Sequence, residues 1–140
     1  MLLLKYWYAI YFIVRGFFMP YTIDTVQKWL DDIANDLPEG LYNNLNGGIL
    51  LLPEYKISPY AKAGDLYIMG EYFYHYFMGR MIKIYYGSII RVYGYLGDNE
   101  FKEVLKKVLY HEFIHHLESL ANENSLDVKD METLQRYLET

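Results

Sequence analysis

Residues Asp98 to Asn122 read DNEFKEVLKKVLYHEFIHHLESLAN, and this stretch decides the architecture. Gly97-Asp98 opens a helix. Asp98 is a good N-cap, and Glu100 adds an acid to the first turn, where the positive end of the helix dipole favours it. Phe101, Val104, Leu105, Val108 and Glu112 follow along one side, at the three- and four-residue spacing of a helix with one face turned inward. Asn122 tolerates the left-handed conformation of a helix end and marks the expected stop. Three of the chain's four histidines fall between positions 111 and 116, on this one helix.

His111 and His115 are four residues apart, so on a helix they differ by about 40° and face the same way. Two imidazoles so placed can share one metal ion. Glu112 lies about 100° round from His111, beside such an ion and not on it. There it can take a proton from an activated water, which is why an H-E-x-x-H pattern suits metal-assisted hydrolysis. The same histidines would also suit an ordinary solvated helix face. An apolar-periodic helix and a preceding sheet favour the metal reading. His116 is about 100° from His115 and is expected in the core or just behind the metal ligands, a hydrogen bond to the sheet being one such role, and not on the metal.

A catalytic zinc keeps three protein ligands and one open position. Glu118, seven residues after His111, returns to within about 20° of it and leans toward the helix N-terminus. It is the expected third ligand. Glu123, Asp127, Asp130 and Glu132 are the alternatives.

The 140 residues suit one domain. A hydrophobic content of 53% with 22% charged residues is that of a globular chain. The net charge of -5 and the lack of a Lys/Arg block argue against nucleic acid. With no cysteine, disulfides and thiolate metal sites are excluded, and a transition metal must be held by His, Asp or Glu. The same absence fits a cytoplasmic protein. The 17 tyrosines, with many Ile, Lys and Asn, suggest an AT-rich bacterial genome.

Along the rest of the chain, Thr22 caps a helix striped by Ile23, Val26, Leu30, Ile33 and Leu37, and Pro38 ends it. A short helical piece spans Leu41 to Leu45. Asn46-Gly47-Gly48 is a turn, and Ile49 to Leu52 a buried strand bounded by Pro53. Strands are expected at Leu66–Met69, Tyr72–Phe77, Met81–Tyr86 and Ile89–Tyr95, with turns at Gly79-Arg80 and Gly87-Ser88. A last helix covers Asp130 to Leu138. The fold class is therefore α+β: a small, mostly antiparallel sheet packed with an active-site helix and flanking helices.

Met1 to Phe18 are almost wholly apolar, with only Lys5 and Arg15 charged. The uninterrupted run Tyr6–Val14 is shorter than the ~20 residues a membrane span needs. No small-residue cleavage site follows it. Arg15-Gly16 can be encoded AGA-GGA, which resembles a ribosome-binding site at a suitable spacing before Met19. Residues 1–18 are thus expected to be an extension upstream of a start at Met19, with the working domain at 19–140. A short apolar segment touching a membrane surface is the other reading.

The chain resembles the small bacterial zincin-like metallopeptidase family. The resemblance covers about Met19 to Leu138. It rests on Leu37-Pro38-Glu39, on Asn46-Gly47-Gly48-Ile49-Leu50-Leu51-Leu52-Pro53, on Ile84-Tyr85-Tyr86-Gly87-Ser88, and above all on His111-Glu112-Phe113-Ile114-His115-His116-Leu117-Glu118. It implies a minimal zincin, with His111 and His115 as zinc ligands and Glu112 as the base. One departure stands out. Many relatives place an Asp ligand ten residues after the first His, and here that position is Ala121. The expected activity is zinc-dependent hydrolysis of peptide bonds in an extended or unfolded polypeptide. A non-catalytic metal-binding domain and a small membrane-associated protein are the alternatives.

Overall fold

The computed structural model describes residues 21–123 and 126–140. The expectations for residues 1–18 and for a start at Met19 lie outside them.

Helix α1 covers Ile23–Asn35. It starts where expected, because the Thr22 hydroxyl accepts the Thr25 amide hydrogen at 3.2 Å. Its apolar stripe buries Val26 and Leu30. Pro38 leads into one turn of 3-10 helix, Glu39–Tyr42, which buries Leu41. The Asn46-Gly47-Gly48 turn is set by close packing. A Cβ on Gly47 would stand 2.7 Å from that of Met81, and Gly48 has φ +69.

Strand β1 is Gly48–Leu52. Strands β2, Lys56–Ile57, and β3, Tyr67–Ile68, form a two-residue antiparallel ladder. Strand β4 is Gly70–His75 and β5 is Gly79–Tyr85. The main sheet has the order β1-β5-β4. β5 runs antiparallel to β4 but parallel to β1, with Gly48 opposite Met81 and Leu52 opposite Tyr85. The architecture is thus α+β as expected, but the sheet is mixed. Local alternation cannot reveal that β1 waits for a partner some thirty residues downstream.

The second correction concerns Ile89–Tyr95. These residues are not a strand. Ile89 to Tyr93 belong to helix α2, Tyr86–Tyr93, which leaves β5 without a loop, and Gly94-Tyr95 turn the chain after it. Tyr86, Ile89, Ile90 and Tyr93 stand at helical spacing, although Ile and Tyr also suit a strand. Gly87-Ser88, expected as a turn, is the first turn of that helix. A Cβ on Gly87 would lie 2.7 Å from the Tyr55 backbone nitrogen. The Gly87 amide donates to Glu54, and Ser88 Oγ accepts from the Lys56 amide at 2.9 Å. Tertiary packing against residues 54–56 therefore overrides the strand-like composition.

The β4–β5 turn is Tyr76-Phe77-Met78, a little before the expected Gly79-Arg80. His75 Nδ1 accepts amide hydrogens from Phe77 and Met78 at 3.2 and 3.3 Å. Gly79 then takes φ +76.

Helix α3 spans Asp98–Asn122, close to the expected range. Its N-cap is Gly97, and Asp98 opens the first turn. Helix α4 is Val128–Glu139, begun two residues earlier than expected because Asp127 caps it by accepting from the Lys129 amide at 2.8 Å. The core lies between α3 and the sheet. Phe101, Leu105, Leu109, Phe113 and Leu117 of α3 meet Ile82 and Ile84 of β5 and Val26 and Leu30 of α1. No helix among the described residues is long and apolar enough to cross a membrane.

Candidate metal and catalytic site

The α3 face that buries Leu105, Leu109 and Phe113 leaves His111 and His115 exposed on its flank. Their rings stand at 89° to one another, and their Nε2 atoms approach to 3.1 Å. Two zinc-bound nitrogens at ~2.0–2.1 Å in a tetrahedral arrangement are separated by roughly 3.3 Å. The pair therefore fits one divalent ion on geometry as well as on donor chemistry.

Glu112 is 5% exposed, in contrast to the two histidines. Burial pushes its carboxyl up from 4.5 to about 7; His115 opposes the rise and Glu71 adds to it. Space for the side chain comes from β4. Gly70 faces it, and a Cβ at that position would stand 3.2 Å from Glu112 Cγ. Gly70, Tyr72, His111, Glu112, His115 and Ser119 line one cleft between β4 and α3. Among the described residues β4 is an edge of the sheet, so there the cleft is flanked by backbone with one side unpaired.

His116 is fully buried, as expected. Its Nε2 lies 2.9 Å from the Asn43 carbonyl and its Nδ1 3.0 Å from the Tyr72 hydroxyl. A carbonyl only accepts, so Nε2 carries the hydrogen and Tyr72 donates to Nδ1. Burial lowers the His116 pKa; the bond to Asn43 opposes this and Arg80 adds to it. One imidazole thus ties α3 to β4 and to the loop after the 3-10 turn.

Of the carboxylates expected as third ligand, Glu118 and Glu123 line the same cleft, each with a partner of its own. Glu118 Oε2 is 3.4 Å from Nδ1 of His115, the nitrogen remote from His111. Glu123 Oε2 lies 2.7 Å from Nη2 of the buried Arg80, an ion pair off the line of a hydrogen bond. Asp127 caps α4, and Asp130 and Glu132 on α4 are not among the cleft-lining residues. No three His, Asp or Glu side chains converge as a ready ligand set among the described residues.

Sequence reading passed over Gly70, Tyr72, Arg80 and Ser119. Nothing in their local pattern marks them. The antiparallel β4–β5 register and the packing of α3 on β4 bring them together.

No known family's sequence profile matches the chain, and no curated protein shows significant similarity to it. The fold is similar to a solved structure of a conserved hypothetical protein from Thermus thermophilus. Identity is 27%, the match covers 73% of this chain and 99% of that one, and the TM-score is 0.60. The likeness shows a shared α+β fold and brings no activity with it.

Proposed function

We propose that this chain is a zincin-like, zinc-dependent hydrolase of peptide bonds. The observation that carries the reading is the 3.1 Å approach of His111 and His115 Nε2 at the mouth of a cleft where Glu112 is buried. His111 and His115 would hold the ion. With no cysteine in the chain, an imidazole-based site suits zinc. A bound divalent ion supplies Lewis acidity to water and to a scissile carbonyl. Glu112 takes a proton from water in the cleft and passes it to the leaving amine; a carboxyl poised near neutrality is suited to both steps. Burial keeps bulk water from most of Glu112, and the edge of β4 offers backbone groups to an extended peptide.

A second reading is a metal-dependent binding domain without catalysis. It is favoured by the absence of a third converging ligand among the described residues. Two variants of the full chain separate the readings. His115→Ala should lose zinc at equimolar metal, measured by elemental analysis. Glu112→Gln should keep zinc while hydrolysis of peptide substrates falls by roughly 100-fold or more. Zinc content unchanged in His115→Ala sinks the metal assignment. Full activity in Glu112→Gln sinks the proposed base.

A further inference from the structure

The two contacts of His115 have a direction that follows from donor chemistry. An ionised carboxylate can only accept a hydrogen bond. With Glu118 Oε2 3.4 Å from His115 Nδ1, the hydrogen belongs on Nδ1. A neutral imidazole with Nδ1–H presents a bare lone pair at Nε2. With both rings neutral, His111 is then the donor across the 3.1 Å gap between the Nε2 atoms. Two imidazolium rings could not make this approach, because both Nε2 atoms would carry hydrogen.

We propose that Glu118 is a positioning residue for His115: it holds the His115 proton on Nδ1 and keeps Nε2 ready to bind a cation. This rests on the metal reading above for its purpose, though not for its geometry. The carboxylate acts through the imidazole from the side remote from His111. Metal ligands of this kind gain orientation and basicity from such a partner. His115 is thus set in advance in its ligand form. His111 is not, and must move its hydrogen from Nε2 to Nδ1 when a cation arrives. Cation uptake changes the tautomer of one histidine and leaves the other as it was. Glu118 is seven residues from His111 on α3, yet it acts from the far side of the His115 ring.

The test uses the full, ¹⁵N-labelled chain, metal-free, at a pH of about 8, above the ordinary imidazole range. Long-range ¹H–¹⁵N correlation reads the tautomers, and zinc alone is the probe of affinity. In the wild type, His115 is expected as Nδ1–H and His111 as Nε2–H, and zinc should convert only His111. Glu118→Ala should shift His115 toward Nε2–H and weaken zinc binding by roughly tenfold. Glu118→Gln keeps an accepting oxygen and should retain both the tautomer and most of the affinity. An identical His115 tautomer in the wild type and Glu118→Ala overturns the proposal. So does a Glu118→Gln protein that loses zinc as fully as His115→Ala, since Glu118 would then be a ligand. A wild type with the expected tautomers but no zinc uptake upholds Glu118's hold on His115 and overturns the metal reading instead.

Discussion

Glu112 is a carboxylic acid buried between α3 and β4, and its protonation follows from that burial. Its pKa of about 7 in the fold lies above the ordinary 4.5. Folding therefore favours the protonated form. The stabilising contribution is complete below pH 4.5 and is lost as pH rises through about 7. Relative to Glu112→Gln, which is neutral throughout, the metal-free wild type should lose about 2–4 kcal/mol between these limits. Urea titrations of both proteins across that range measure the difference, and a difference that does not vary with pH counts against the buried acid. At this scale the sequence was highly legible. The angles of an α-helix are fixed, so His111, Glu112 and His115 could be placed from spacing alone. The same arithmetic puts Glu118 within reach of His115. Rotation about a helix axis, however, does not say which ring nitrogen a carboxylate meets.

Elements were legible where they carried their own signals. Thr22 with its apolar stripe, the double glycine before β1 and the long periodic run of α3 all appear where expected. α2 was not legible, because Ile89, Ile90 and Tyr93 suit a strand as well as a helix; its packing on residues 54–56 decides. The cleft itself comes from two elements fitted closely together. At Gly70 an added Cβ would meet Val108 Cγ1 at 3.1 Å and Ile84 Cδ1 at 3.3 Å, besides Glu112. Gly70→Ala should therefore displace the Glu112 side chain by a few tenths of an ångström. We expect hydrolysis to fall by roughly tenfold and stability by about 1–3 kcal/mol, with zinc content retained. Unimpaired hydrolysis in a folded Gly70→Ala protein would show that the fit of β4 on α3 does not set the base.

For the whole molecule, α3 is the common wall of the core, touching α1, α2, α4 and both β4 and β5. Leu109 lies on the buried face of α3 and is fully buried. Leu109→Ala should cost about 2–5 kcal/mol, seen as a lower denaturant midpoint at unchanged slope. Circular dichroism and tryptophan fluorescence should report the same transition. Two separate transitions would mean that the sheet and the helices do not share one core. The sheet order could not be read from the sequence, since parallel pairing of β1 with β5 depends on chain that lies between them.

That order also bears on how the chain is made. β5 is the last strand to be synthesised, yet it is the middle strand of the sheet. As the polypeptide emerges from the ribosome, β1 and β4 must wait, each with an unmatched edge, until Tyr85 has cleared the tunnel. Helix α3 can only then be laid across a finished surface. A product released before Gly79 would carry two orphan edges, one bearing Leu50–Leu52 and the other Tyr72–Tyr74, the kind of surface that pairs with its own copies and aggregates.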